Sequence, residues 1–378
     1  MEDFPAGPTS PGPGRPPLAV VIPVRNGGRD FERCLRRLRA SSWTDYELVV
    51  VDDASTDGSA ALAESFGARV LRHEHPLGPA AARNAGAQAA VAPIVFFLDA
   101  DVELHADALA LAIERFACCP DLAALFGSYD DKPTGRSLVS QFRNLLHHYI
   151  HQRGSFQEGA RPAHTFWTGC GAIRKHVFHS LGGFDPHLYR RPAIEDIELG
   201  YRITRAGLKI ELVRAIQATH LKRWSLLEVI RTDIFQRGVP WMFLIKREQV
   251  KEADLNVSHS QRASVAATGL GLLALLAMPW KPSAGILVVI ALTAIISLNL
   301  NFYLFLVQKR GLLFAIASIP LHALYFCCCG LSVVIALFLW YVLGGARERP
   351  VMPARQDAGS KRARPHAGMR RPTSWTRR

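Results

Sequence analysis

Carboxylates recur in this sequence at points where an apolar run has just ended. Asp52, Asp53 and Asp57 follow a run of valines in VDDASTDGS, and Asp99 and Asp101 close IVFFL in FLDADV. In an open parallel sheet, ligands bind beyond the carboxyl ends of the strands, which is where all five would lie. Two carboxylates spaced two apart can turn oxygens towards one hard cation, and Mg2+ or Mn2+ held this way completes its shell with substrate phosphates. His220, in ATHLKRW, is a candidate third ligand, since neutral imidazole suits Mn2+ better than Mg2+. The competing reading makes His220 structural and Asp52 and Asp57 turn and helix-capping residues.

Elements able to carry these groups are visible in the hydrophobic pattern. From Leu18 to about Tyr129, five short apolar runs (LAVVIPV, YELVVVDD, ARVLRHE, IVFFLDAD and LAALFGSY) alternate with helical patterns near Phe31 to Ala40, Ser59 to Phe66, Ala80 to Ala90 and Ala106 to Phe116. This alternation predicts an α/β fold, a mostly parallel, doubly wound sheet with helices on both faces, over residues 18–225. Residues 130–262 are less regular, with helices expected at Val139 to His151 and Glu195 to Ala206 and a Gly-rich turn at Thr168 to Gly171. They are expected to complete the same site rather than form a second domain. Residues 1–17, rich in Pro and Gly, read as a flexible leader without the apolar run of a secretory signal.

The chain has 378 residues, of which 49% are hydrophobic and 20% charged, with a formal net charge of +13. That hydrophobic share excludes a disordered chain. Residues 1–262 are nearly neutral at +2, residues 263–344 contain no acid, and the last 34 residues hold ten basic and two acidic side chains. Ala263 to Pro279, Ser283 to Val307 and Gly311 to Gly344 are apolar, and the last two are long enough to cross a bilayer. The sequence therefore predicts an integral membrane protein with two to three spans over 263–344. The third stretch reads as one span preceded by an interfacial piece ending near Pro320. Three spans would separate the catalytic domain from a basic tail (345–378) that the positive-inside rule keeps cytoplasmic, so one segment is expected to be re-entrant or interfacial. Between Leu226 and Arg247, apolar residues recur near helical spacing among basic ones. A helix lying on the bilayer surface and a packed surface helix both fit that pattern, assigned to 226–262.

Taken together, residues Leu18 to His220 resemble the inverting family 2 glycosyltransferases, whose catalytic domain is a nucleotide-sugar-binding α/β sandwich of the GT-A type. VVIPVRN resembles the family's first strand, implying that Pro23 and Arg25 flank the nucleotide. VDDASTDGS implies Asp53 as the uracil-side carboxylate with Asp52 and Asp57 in support. AARNAG implies that Arg83 faces the nucleotide and its phosphates, and FLDADV that Asp101 is a direct metal ligand. FWTGCGAIRKHVFHSLGGFD looks like the acceptor-side loop, with Trp167, Thr168 and Gly169. AIEDIELGYRI resembles the Glu-Asp motif, implying Asp196 as the base and Glu195 as its neighbour. An acceptor hydroxyl attacking an anomeric carbon must lose a proton, and a carboxylate is the usual group to take it. Helix-start acids favoured by the macrodipole are the plainer reading of the same pair. FQRGVPW departs from the Gln-x-x-Arg-Trp motif of processive members: Gln236, Arg237 and Trp241 are present, but Pro240 stands where a second Arg is expected. This disfavours a polysaccharide synthase and favours transfer of one sugar.

The seven cysteines lack zinc spacing and read as small buried hydrophobes. Neither the dinucleotide-binding Gly fingerprint nor a Walker-type loop is present. The expectation is a metal-dependent glycosyltransferase, bound to the bacterial inner membrane with its catalytic domain cytoplasmic. Its donor would be a nucleotide sugar, a UDP-sugar by preference, and its acceptor a membrane lipid or lipid-linked molecule, with the tail on an anionic lipid surface and no nucleic acid partner. The rivals are a processive synthase and a non-catalytic membrane scaffold whose basic tail binds lipid or nucleic acid.

Overall fold

The computed structural model describes residues 16–248 and 259–342. Most of the leader, the basic tail and residues 249–258 of the 226–262 segment lie outside the described residues.

Four βα units come first. They are β1 (Leu18–Val24), α1 (Gly28–Arg39), β2 (Tyr46–Asp52), α2 (Ser59–Ser65), β3 (Arg69–Arg72), α3 (Pro79–Ala89), β4 (Ile94–Leu98), the short β5 (Val102–Leu104) and α4 (Ala108–Cys118). β1 to β4 form one half of the sheet, while the short β5 joins its far edge. β1 pairs in parallel with β2 on one side and β4 on the other, and β2 with β3. All five residues of β4 are buried, as expected of a strand covered by helices on both faces.

The second half corrects the parallel expectation. β6 (Leu122–Tyr129) does not lie beside β4. β8 (Cys170–Arg174) inserts between them, antiparallel to both. β9 (Lys209–His220) then pairs in parallel with β6 and antiparallel with β5 and β7 (Ala160–Ala163). The nine-stranded sheet is therefore mixed, in the order β3-β2-β1-β4-β8-β6-β9-β5, with β7 beside β9. Gly171 explains why β8 fits there: a Cβ on it would come within 2.2 Å of the Trp167 carbonyl and 3.2 Å of Phe126. α5 (Leu138–Gln152) packs on β6, α6 (Lys175–Ser180) follows β8, and α7 (Glu195–Arg205) leads into β9. Both halves thus share one sheet.

Beyond it the chain is helical: α8 (Leu226–Arg231), a π-helical segment (Thr232–Gly238), α9 (Val239–Glu248), α10 (His259–Ala277), α11 (Gly285–Leu298), α12 (Leu300–Arg310) and α13 (Leu312–Val342). The second apolar stretch is not one straight span, because the chain bends by 70° at Asn299 between α11 and α12. Nor is there a separate piece before Pro320, which sits inside the continuous 31-residue α13. Among the described residues one helix, α13, is long and apolar enough to cross a membrane, or two if the bent pair counts as one span. Large apolar side chains on these helices face outward, among them Leu273, Ile286, Leu313 and Phe338. The segment after Ser225 packs Ile234 and Val239 against Cys328 and Ala336 of α13, and leaves Leu227 and Phe235 exposed.

Candidate active site

Loops after β1 and β2 form one rim of a cleft. Asn26 turns the chain with φ of 52°, and its side-chain oxygen accepts from the Thr56 N–H at 2.7 Å. Asp57 binds the facing loop: Oδ2 accepts from the Gly28 N–H at 2.9 Å, and Oδ1 from the Ser59 hydroxyl at 2.6 Å. It therefore orders the turn, as the plainer reading of its spacing allowed. Asp52 is buried and accepts from the Ser55 N–H at 3.0 Å. Asp53, also buried, accepts from His73 Nδ1 at 2.7 Å and from the N–H groups of Leu77 and Gly78 at 2.8 and 2.9 Å. Burial opposes its charge, but these bonds outweigh burial and hold the carboxyl below its ordinary value. A carboxylate offers roughly four acceptor positions, so one remains for a ligand. Pro23 lies within β1 opposite Val51, and Arg25 is exposed just beyond the strand.

Arg83, on α3, is buried in the centre. Its guanidinium donates to Asp99 Oδ1 and to Glu195 Oε1, each at 2.7 Å. Burial works against the cation, and Asp99, Glu195 and Asp196 together reverse that and hold it charged. Glu195 also accepts from the Ala193 N–H, so each of its oxygens helps fix the start of α7. Asp196, the next residue, points elsewhere. Its Oδ2 accepts from the N–H and hydroxyl of Thr168 at 3.1 and 3.3 Å, and its Oδ1 from the Ile197 N–H at 2.8 Å. Burial and the neighbouring Glu195 charge push its pKa up to about 6, against the pull of Arg83.

The third side lies where β5 meets β9. Asp101 Oδ2 faces His220 Nε2 at 3.5 Å, and His220 Nδ1 lies 3.0 Å from Asn144 Oδ1. With Nδ1–H donated to Asn144, Nε2 turns a lone pair towards a carboxylate, an arrangement that a cation between them would relieve. Asp99 gives Oδ1 to Arg83 and leaves Oδ2 without a partner among the described residues, in which no three His, Cys, Asp or Glu side chains surround a common point. Asp101 and His220 thus fit a divalent ion that takes few protein ligands and completes its shell on substrate oxygens.

Residues 19–182 match the family model described as glycosyl transferase family 2. That stretch resembles a glycosyl transferase family 2 domain. A transferase domain is therefore what the chain carries. Over 237 residues the chain is 31% identical to a pre-mycofactocin glycosyltransferase of Mycobacterium tuberculosis, covering 60% of this chain and 47% of that protein. It is 29% identical over 239 residues to a validoxylamine A glucosyltransferase of Streptomyces hygroscopicus, covering 54% and 56%. The chain thus spans about half the length of these relatives. Among solved structures, a mannosyltransferase of Pyrobaculum calidifontis in complex with GDP-Man and Mn2+ aligns with a TM-score of 0.46 at 17% identity, over 85% of this chain and 87% of that one.

The same region contains an aromatic wall of which the sequence motifs give only Trp167 and His220. Tyr129, at the end of β6, stacks on His220 with centroids 4.3 Å apart, and Trp167 meets Tyr129 edge-on at 4.7 Å. His147 of α5 lies between Tyr129, Trp167 and His151. For the two histidines of α5 the one available signal is their helical spacing, four apart. Gly169 lets Trp167 fold back, since a Cβ there would strike the indole at 2.3 Å. The wall joins Asp101 and His220 to Thr168 and hence to Asp196. On the far side, Trp241 donates from Nε1 to the Tyr201 hydroxyl at 3.3 Å, and Gln236 and Arg237 lie on the π-helical segment.

Proposed function

We propose that the protein transfers a sugar, with inversion, from a nucleotide-sugar donor, a UDP-sugar, to a hydroxyl of a membrane lipid. Asp196 is the observation that carries this reading: a carboxylate with pKa near 6, held by Thr168 at the cleft, suits a base working close to neutral pH. In the step, Asp196 takes the acceptor proton as the acceptor oxygen bonds to the anomeric carbon, and the bond from that carbon to the diphosphate breaks. The nucleoside diphosphate leaves with the electron pair.

Arg83 and Glu195 fix the start of α7 and so aim Asp196, while the rim of Asp52, Asp53 and Asp57, with Pro23 and Arg25, takes the nucleotide. Trp167, Thr168 and Gly169 line the acceptor side, opposite Gln236, Arg237 and Trp241. Asp101 and His220 would hold Mn2+ or Mg2+, whose charge offsets that of the departing diphosphate. Outward apolar side chains on α10, α11 and α13 support seating these helices in a bilayer; in this proposal the catalytic domain stands on the cytoplasmic side. Incubating the purified chain with a panel of nucleotide sugars and extracted membrane lipids, read by mass, tests the whole assignment. A lipid product gained by one sugar mass is expected with wild type and absent with Asp196→Asn; equal product from both would overturn it.

A further inference from the structure

The sequence gives the cysteines the character of small buried hydrophobes, and Cys34 and Cys170 have it, both lying in the core. Cys118 and Cys119 depart from it. Cys118 is exposed and Cys119 half-buried, where α4 ends and the chain turns towards β6. Their Sγ atoms lie 3.4 Å apart, already in contact, and Cys118 Sγ donates to the Arg115 carbonyl at 3.3 Å. That leaves the Cys119 S–H to point at the Cys118 sulfur. The bond to its neutral form pushes the Cys119 thiol above its ordinary value, so the more exposed Cys118 is placed to react first. One side chain holds the turn around them. Arg174, which ends β8, donates from Nε to the Leu122 carbonyl at 2.8 Å and from a terminal nitrogen to the carbonyls of Phe116 and Cys119 at 3.2 and 3.4 Å. This clamp therefore spans the peptide between the two cysteines. It lies at the opposite end of β6 from Tyr129, apart from the proposed active site.

We propose that Cys118 and Cys119 are a site of reversible oxidation, closing to a vicinal disulfide when they meet a low-molecular-weight disulfide, and that closure loosens the Arg174 clamp. In the first step the Cys118 thiolate attacks one sulfur of the small disulfide, whose S–S bond breaks as the new one forms, and one small thiolate leaves. Cys119 Sγ then attacks Cys118 Sγ and expels the second. The two cysteine protons end on the two departing thiolates, so the protein gives up the two electrons that the small disulfide gains. Neighbouring Cα atoms stand about 3.8 Å apart, short of the roughly 4.4–6.8 Å that disulfides usually span. The peptide between the cysteines must twist to accept the bond, which draws the Cys119 carbonyl from Arg174. A loop this short removes almost no entropy from the unfolded chain, so strain in the folded state decides the sign. The oxidised protein is the less stable form, and small thiols reopen it.

Oxidised glutathione is the probe. The full chain in detergent is treated with it, quenched with N-ethylmaleimide and digested with trypsin, since the peptide from Phe116 to Arg136 holds these two cysteines and no other. Mass spectrometry should find that peptide lighter by two hydrogens, free of glutathione and maleimide, and open to maleimide on both sulfurs once excess reduced glutathione has been added. A peptide that keeps glutathione, takes maleimide without prior reduction, or is linked to another peptide would overturn the site. Cys119→Ser should stop the reaction with one glutathione held on Cys118, and a variant that holds none contradicts the order of attack. Thermal unfolding reads the clamp. The Tm of the oxidised wild type should lie about 2–4 °C below that of the reduced form and return on reduction. An equal or higher value, or the same fall in the Cys118→Ser, Cys119→Ser double variant, overturns the loosening.

Discussion

Glu195 and Arg83 meet at 2.7 Å across 112 residues of sequence, both buried, and the same guanidinium reaches Asp99 at equal distance. Removing one partner of such a pair leaves an uncompensated buried charge. Arg83→Ala is therefore expected to destabilise the domain by about 3–5 kcal/mol. Arg83→Ala with Glu195→Gln should recover part of that loss. Chemical denaturation of the single and double variants in detergent measures both, and a single variant as stable as wild type would contradict the assignment.

Asp196 predicts a pH profile. Only its carboxylate form can take a proton, and its pKa is about 6. Activity, as kcat/KM, should rise about tenfold per pH unit below that value and level off above it. Thr168→Val deletes a hydroxyl bond to Oδ2 that favours the charged form, so the inflection should move to higher pH. An unmoved inflection would remove Thr168 from this role.

Much of this machinery was visible before folding was considered, and the division has a physical basis. β1, β2 and β4 carry apolar runs that are largely buried, so they stand out from the helices between them, and the carboxyl ends of β2 and β4 place Asp53 and Asp99. β8 is five residues long and contains a glycine, and β9 pairs with β6 across two register irregularities, so neither shows a clean period of two. The Tyr129–His147–Trp167 wall arises only when α5 packs on β6. Arg143 and Asp233, 90 residues apart, become partners only through the helical segment that follows the sheet.

The candidate metal pair gives a third expectation. Chelation by EDTA should abolish turnover and Mn2+ should restore it, with Asp101→Asn needing more metal than wild type. Asn144→Leu, which frees His220 Nδ1, should weaken metal affinity about 10–100-fold without touching a ligand. Titration of activity against Mn2+ reads both variants, and unchanged metal dependence in Asp101→Asn would remove that residue from the set.

Gly238 marks the closest approach of the π segment to α13, where an added Cβ would lie 2.2 Å from Ser332 Oγ and 2.7 Å from the Asp233 carbonyl. Gly238→Ala should cost about 1–3 kcal/mol through overpacking. Because the adjoining residue is Arg237, it should also impair turnover. Thermal unfolding and kinetics of the same preparation test the pair of effects, and an alanine variant with wild-type stability would show that the contact yields freely.

The bend at Asn299 has a consequence for which acceptors can be served. It sends α12 back towards the sheet, where Lys309 pairs with Asp131 at 2.6 Å and Arg310 donates to the Asp131 carbonyl and to Gln141. The loop gripped there also holds Thr134 against the carbonyls of His220 and Leu221. With the apolar helices seated in lipid, this clasp works as a ruler that sets the height of the cleft above the hydrocarbon. Selection among lipids would then follow how far a head group stands out from the membrane, and lengthening or shortening α12 by a turn should change the substrate chosen.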